Sequence, residues 1–184
     1  MKRDGWEGGH RVPFIARWPG RIPKGQVSNQ MTNTTDIFAT LASVVGYALP
    51  DDAATDSFEM LPSMLGTQDE TRSIRPHLLT QSFRGEFQIR QGKWKYLDHP
   101  GCGGNSYDGD PLKRYALPET APDAPGQLYD LENDPGETTN LYFTEEAKRR
   151  QLQALLERLK SSGRSAPRKR IPIGTENIPR IERD

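Results

Sequence analysis

A run of leucines near the end of the chain constrains the fold more than any other feature. Within residues 144–160, Leu152, Leu155, Leu156 and Leu159 recur at helical spacing. The charged residues of this segment lie outside that stripe, among them Lys148, Arg149, Arg150, Glu157 and Arg158. Such a stripe predicts an amphipathic helix whose apolar face must pack against another element. Thr144 suits the N-cap, Glu145 and Glu146 complement the helix dipole in the first turn, and Gly163 suits the end.

The partner for this helix is predicted from residues 83–97, where apolar and polar side chains loosely alternate. The inward set is expected to be Phe87, Ile89, Trp94 and Tyr96, arranged around a turn at residues 91–92, which predicts a β-hairpin. Residues 127–131 predict one more strand. The tract between, residues 98–126, is rich in Gly, Pro and Asp and predicts a long loop.

Upstream of these elements the pattern is different. Residues 11–18 are apolar and β-prone and stop at Pro19-Gly20, which predicts a short buried strand. A strand with no preceding neighbour is expected to belong to a larger sheet. Residues 36–45 predict a helix followed by Gly46, and residues 57–65 predict a weaker one that Pro62 interrupts.

Charge is balanced overall but uneven along the chain. The sequence has 25 basic and 25 acidic residues, yet residues 1–25 carry six Lys or Arg against two acids. A short basic region suits a small anionic ligand, whereas nucleic acid needs a broader basic surface, so no nucleic-acid partner is predicted. No stretch approaches the ~20 apolar residues of a membrane span. The single cysteine, Cys102, excludes a disulfide framework and a cysteine-based zinc site.

Three short stretches follow one another in a defined order. The first is residues 2–13, which contain Lys2 and Glu7-Gly8-Gly9 and continue to Trp18-Pro19-Gly20. The second is residues 91–95, and the third is residues 127–141. In residue types, order and spacing they resemble the arylsulfatase-type, formylglycine-dependent sulfatases of the alkaline-phosphatase-like superfamily.

This resemblance implies an α/β fold of which the chain is a C-terminal fragment. It predicts the end of the large sheet domain in residues 1–70, a small α+β subdomain of antiparallel strands packed on one helix in residues 71–163, and an irregular tail in residues 164–184. The family hydrolyses sulfate esters with a calcium ion and a formylglycine, which the intact parent is expected to hold and which no residue of this chain is expected to bind. Periplasmic or secreted location is typical of the family.

The resemblance assigns the candidate site. Lys2 precedes Glu7 by five positions, as the sulfate-contacting lysine of the family does, and an ammonium group supplies charge and donors for a tetrahedral anion. Glu7, Gly8 and Gly9 are expected to form a structural loop. His10 follows that loop and is either a substrate contact or a packed residue beside a strand.

Other candidate groups near the middle of the chain are weaker. Cys102 is followed by Gly104 and Ser106 at the +2 and +4 positions, where the formylglycine motif needs a small residue or proline and then arginine, so the motif fails. Asn105, Asp108 and Asp110 carry calcium-type ligands, but at spacings that match no recognised loop, which favours a solvated turn.

Three hypotheses follow. The first is a sulfatase fragment that is inactive alone because nucleophile and metal ligands are missing, and that acts with the missing N-terminal portion on a sulfate-ester small molecule or sulfated glycan. The second is a non-catalytic module that binds sulfated glycans through Arg11, Arg17, Arg21 and Lys24. The third is a split-enzyme subunit that completes an active site on a partner chain.

Overall fold

The computed structural model describes residues 1–168, so the predicted tail lies outside the described residues from residue 169 onward. Contacts within the chain group the described residues into two compact units. One consists of Met1–Pro13 with His77–Ser161, and the other of Phe14–Pro76 with residues 162–168. The domain limits drawn from the sequence concern the intact enzyme and stay predictions.

The regular elements are short. In chain order the helices are α1 (Glu7–His10), α2 (Asp36–Val44), α3 (Leu61–Leu65) and α4 (Glu146–Ser162), and the strands are β1 (Leu78–Gln81), β2 (Phe87–Gln91), β3 (Trp94–Leu97) and β4 (Gln127–Asp130). Within the described residues the strands form one antiparallel sheet in the order β1-β2-β3-β4. The antiparallel sheet and α4 confirm the predicted fold class, whereas β1 and the helical turn α1 were not predicted.

One face of this sheet carries the apolar core of the first unit. Ile89 lies opposite Tyr96, and Tyr96 lies opposite Leu128, so the three side chains form a row across β2, β3 and β4. This row packs against the leucine stripe of α4, and Leu152 and Leu156 are completely buried. The hairpin therefore buries the face predicted by its two-residue strand repeat, and α4 buries the face predicted by its 3.6-residue helical repeat.

The opposite face of the sheet is polar. Apart from Leu97, it is formed by polar residues at alternate positions of β2, β3 and β4: Gln88, Arg90, Lys95, Gln127 and Tyr129. Four of these side chains are buried, with Gln88 and Lys95 only 1% exposed and Gln127 0% exposed. A polar sheet face normally faces water; here the N-terminal residues cover it, as described below.

In the second unit, α2 forms over the predicted span, but its apolar positions do not make up its buried face. The buried positions are polar or small, including Asp36 and Thr40, whereas Leu41 is 57% and Val45 72% exposed. Asp36 explains this orientation, since its buried carboxylate accepts hydrogen bonds from the Arg75 guanidinium and the Phe58 amide. An ion pair therefore decides which face of α2 turns inward, against the apolar pattern.

Two other expectations are corrected. Pro62 lies in the first turn of α3 and begins that helix rather than interrupting it, because the first helical amides need no intrahelical acceptor. The predicted strand at residues 11–18 does not form, and Val12 and Ile15 are 69% and 90% exposed. No strand within residues 1–168 pairs with this segment, so no ladder fixes it in extended form. Among those same residues, no helix combines the length and apolarity that a membrane crossing requires.

The packing of α4 can be tested by shortening one leucine. Leu156→Ala should lower the free energy of unfolding by about 2–5 kcal/mol, because Leu156 is fully buried against the sheet and its loss leaves a cavity. Urea denaturation measures the change. Arg158→Ala, on the exposed side of the same helix, is the control; equal effects of the two substitutions would contradict this packing.

Candidate functional site

Lys2 lies at the surface of the first unit. Its side chain is exposed, and within residues 1–168 it makes no hydrogen bond or ion pair, so its ammonium group is available to a ligand. Its backbone, in contrast, is held, because the Asn105 side chain donates a hydrogen bond of 2.8 Å to the Lys2 carbonyl oxygen. Residues 2–10, called the Lys2 segment below, are attached to the subdomain at several further points.

The first of these attachments is Asp4, which is 2% exposed. Its Oδ1 accepts hydrogen bonds from the backbone amide and the side-chain amide of Asn105, at 3.0 and 2.8 Å. Its Oδ2 accepts a short hydrogen bond from the Tyr107 hydroxyl. The loop at residues 102–107 therefore binds both oxygens of a buried carboxylate two residues from Lys2, and the Met1 ammonium group also contacts Oδ2 at 2.6 Å.

The second attachment is Trp6. Its indole N–H donates to Oε1 of Gln127 at 2.9 Å, and the Tyr129 hydroxyl donates to the same oxygen at 2.6 Å. The amide nitrogen of Gln127 donates in turn to the carbonyl oxygens of His99 and Gly101. Gln127 thus connects the Lys2 segment to the polar face of the sheet with its hydrogen-bonding groups satisfied.

The third attachment is an ionic one around Lys95, whose side chain is 1% exposed. Its Nζ lies 3.1 Å from Oε1 of Glu7 and 2.8 Å from Oε1 of Glu137. Glu137 also accepts a hydrogen bond of 2.6 Å from the Glu7 amide, and Arg90 Nη1 lies 3.1 Å from Oε2 of Glu7. One buried ammonium group therefore holds carboxylates from the Lys2 segment and from the turn that leads towards α4.

The pKa values of the two carboxyl groups move in opposite directions. Burial alone raises the pKa of Glu7, but the charges of Lys95 and Arg90 outweigh it, so this pKa lies below its usual value. At Glu137 burial prevails over Lys95, and the nearby charge of Glu7 adds to it, so that pKa lies above its usual value. Both carboxylates contact Lys95, and Glu7 has Arg90 as a second cation, which agrees with its lowered pKa.

His10 ends α1 beside the same ammonium group. Its Nε2 lies 3.5 Å from Nζ of Lys95 and 3.9 Å from Oε1 of Glu7. Burial, and then the positive charge of Lys95, lower the pKa of His10, so the imidazole is neutral at neutral pH. The ring is a neighbour of the ion cluster, and its role as a substrate contact stays a prediction.

The two glycines of the structural loop differ in what they require. A Cβ atom on Gly9 would lie 2.1 Å from the Asp4 carbonyl oxygen, so only glycine fits there. A Cβ atom on Gly8 would be in ordinary contact, 3.6 Å from the Met1 nitrogen. Glu7, Gly8 and Gly9 lie in a single helical turn that packs closely on Asp4, and Gly9 is the position where this close approach needs glycine.

Sequence reasoning missed the residues that hold this segment. Lys95 and Gln127 lie at positions of half-buried strands that ordinarily face solvent, and their partners are 88 and 121 positions away. Asn105, which has a calcium-type side chain, uses its amide nitrogen to donate hydrogen bonds to the Lys2 carbonyl oxygen and the Asp4 carboxylate. Residues 1–168 contain no group of three or more acidic, His or Cys side chains placed to hold a metal ion.

Comparison with known proteins gives consistent matches. Residues 1–47 match the family model described as Sulfatase. The chain is 34% identical over 160 residues to an N-acetylgalactosamine-6-O-sulfatase of Bacteroides thetaiotaomicron, covering 87% of this chain and 29% of that protein. It is 36% identical over 140 residues to human arylsulfatase A, covering 74% and 27%. It therefore spans about three tenths of the length of these relatives.

A solved structure agrees with these sequence matches. It comes from work on the metabolism of multiple glycosaminoglycans by Bacteroides thetaiotaomicron, and it superimposes with a TM-score of 0.70 at 32% identity, covering 87% of this chain and 31% of that one. The sequence matches and the superposition agree on one class of protein, the α/β proteins of the alkaline-phosphatase-like superfamily. The chain belongs to the sulfatase family, and it matches part of the length of arylsulfatase-type members.

The ion cluster can be tested by removing its cation. Lys95→Met should lower the free energy of unfolding by about 3–5 kcal/mol at pH 7, because Glu137 is then buried without a counter-charge and Glu7 keeps only Arg90. Without Lys95, burial is opposed at Glu7 only by Arg90 and His10 and at Glu137 by no nearby cation, so the pKa of each carboxyl group should rise. The penalty should therefore shrink as the pH falls and these groups take up protons.

Lys93→Met is the matched control for this substitution. Lys93 lies two residues earlier and forms ion pairs of 2.9 Å with Asp130 and Glu132, but its side chain is 38% exposed. Exposed pairs contribute little, so urea denaturation should detect little change. A similar effect of the two substitutions, or a Lys95→Met penalty independent of pH, would contradict the assigned cluster.

Proposed function

We propose that this chain supplies the sulfate-contacting lysine and the C-terminal subdomain of a sulfate ester hydrolase. The observation that carries the proposal is the contrast at Lys2, whose side chain is exposed and unpaired within residues 1–168 while the backbone around it is fixed. A cation held in this way can bind an anion without first being released from another partner.

The chemistry of sulfate ester cleavage explains what Lys2 would do. Negative charge grows on the leaving oxygen, while the other sulfate oxygens remain charged throughout. The ammonium group of Lys2 has three donors, and it stabilises that charge if it is directed at an oxygen of the ester. Because the segment that carries Lys2 is fixed by buried contacts, little reorganisation is needed as the charge develops.

The substrate class follows from the relatives that the chain resembles. Two of them are named for 6-sulfated N-acetylgalactosamine, the Bacteroides thetaiotaomicron protein and one from Canis lupus familiaris that is 48% identical over 73 residues, covering 40% of this chain and 14% of that protein. We propose a sulfated sugar of this kind rather than a simple aryl sulfate. The calcium ion and formylglycine of the family would lie in the remainder of the enzyme, since the described residues offer no matching ligand set.

The role of Lys2 is tested in the intact enzyme, meaning this chain together with a sulfatase region that carries the formylglycine motif. Lys2→Ala should lower kcat/KM for N-acetylgalactosamine-6-sulfate by about 10²–10³, because one fixed donor to the charged oxygens is lost. Release of inorganic sulfate measures the rate. Lys24→Ala removes another lysine of the basic N-terminal region and should leave kcat/KM unchanged; a Lys2→Ala enzyme as active as the wild type would remove the assignment.

A second prediction concerns the 184-residue chain alone. It should not hydrolyse 4-nitrophenyl sulfate, because Cys102 lacks the arginine that the formylglycine motif needs four positions later and has Ser106 there instead. The assay follows 4-nitrophenol release by the purified chain, beside the Lys2→Ala variant. Turnover by the wild-type chain that disappears in the variant would overturn this prediction.

The split-enzyme hypothesis has a supporting observation of its own. In the second unit, α2 presents apolar side chains at one-turn spacing to solvent, with Ile37, Leu41 and Val45 at 40%, 57% and 72% exposure, and Phe38 beside them is 59% exposed. A surface of this kind favours a partner. In the sulfatase family, the rest of the large domain could be that partner.

Co-expression of this chain with the rest of a large sulfatase domain should yield a pair that co-purifies, and Leu41→Asp should disrupt the pair. Recovery of the wild-type chain alone would contradict a split enzyme.

A further inference from the structure

We infer that the loop at residues 102–107 is a positioning device for Lys2, with Gly104 and Asn105 as its principal residues. This inference rests on the proposed role of Lys2 in sulfate binding. Asn105 touches neither a sulfate nor a reacting atom in this proposal. It acts through the backbone that carries Lys2.

The loop contacts four consecutive residues of the Lys2 segment. Asn105 donates to the Lys2 carbonyl oxygen and to the Asp4 carboxylate, each at 2.8 Å. The Gly5 amide donates to the carbonyl oxygen of Cys102 at 2.7 Å. Between them, Arg3 packs its carbonyl group against Gly104, where a Cβ atom would lie 2.2 Å from the Arg3 oxygen. The loop therefore fixes the Lys2 segment both by directional hydrogen bonds and by steric contact.

The conformation of Arg3 shows why such contacts are needed. Its φ angle is +88°, which an L-residue other than glycine adopts only at a cost. Phe83, which lies between β1 and β2, offsets this cost through two contacts. Its amide donates to the Arg3 carbonyl oxygen at 2.9 Å, and the Arg3 guanidinium lies 3.8 Å from the centre of its ring. Without these contacts the backbone next to Lys2 would relax, and the ammonium group would lose its direction.

The loop itself is built to present Asn105. The Cys102 thiol is buried and donates to the Asn105 carbonyl oxygen at 3.0 Å, while the Gly104 amide donates to the same sulfur at 3.4 Å. These bonds close a compact turn. Cys102 therefore has a structural role in this device, which accounts for a buried cysteine that no formylglycine motif surrounds.

Two variants test the device by different means. Asn105→Ala removes the donors to Lys2 and Asp4, and Gly104→Ala keeps every donor but places a methyl group against the Arg3 carbonyl oxygen. Their matched controls are Asn133→Ala, which removes a comparable 2.8 Å bond to Asp130, and Gly109→Ala, where a Cβ atom meets nothing within 4 Å.

The first readout is backbone amide exchange in the 184-residue chain, which needs no substrate. In both test variants the protection of the Gly5 and Phe83 amides should fall about tenfold or more, because their acceptors belong to the loop and to Arg3. Amides of the β2–β3 hairpin should keep their protection, as should all amides in the controls. Unchanged protection at Gly5 in both test variants would overturn the inference, whatever the activity of the enzyme.

The second readout separates positioning from general stability. In the intact enzyme, Asn105→Ala should lower kcat for N-acetylgalactosamine-6-sulfate about tenfold or more, with KM less affected. When Lys2→Ala is already present, Asn105→Ala should change kcat less than about threefold. An equal loss with and without Lys2 would show a structural role only and overturn the inference. An inactive wild-type enzyme would instead contradict the proposed function, and the amide exchange would then decide the inference alone.

Discussion

The structure of the first unit depends on one buried ammonium group. Lys95 is 1% exposed, and its charge is compensated by Glu7 and Glu137, which lie 88 positions before it and 42 positions after it in the sequence. An unpaired ion at such a site would cost several kcal/mol, so none of the three residues can be placed without the other two. The sheet, the N-terminal segment and the turn before α4 are thereby fixed relative to one another.

This constraint explains why the sheet is buried on both faces although only one is apolar. Helix α4 covers the face that carries Ile89 and Tyr96, while the Lys2 segment covers the face that carries Lys95 and Gln127. Hydrogen bonds and ion pairs are directional, whereas apolar contacts are not. A polar interface therefore fixes the register of the segment residue by residue, which is what the proposed role of Lys2 requires.

The predictable part of the fold was the part encoded by local periods. The leucine stripe of α4 and the alternation in the β2–β3 hairpin placed those elements and their apolar faces from the sequence alone. Long-range polar pairs were not predicted, because no local sequence pattern indicates them. Asp36, which sets the orientation of α2, pairs with Arg75, 39 positions away. Glu7 of the Lys2 segment pairs with Lys95, 88 positions away. Asn105 sits among acidic and glycine residues that resemble a solvated loop, and only the fold shows that Lys2 and Asp4 are its partners.

The ion cluster also bears on the resemblance that first suggested a sulfatase. Glu7 belongs to the first of the three similar stretches, Lys95 to the second and Glu137 to the third, and the three side chains meet within 3.1 Å contacts. The stretches are therefore not three independent coincidences of sequence, because a single electrostatic requirement joins them. In this chain the three stretches thus meet in one packed arrangement, which fixes the backbone carrying Lys2, and the proposed role of that lysine rests on this arrangement more than on any one motif.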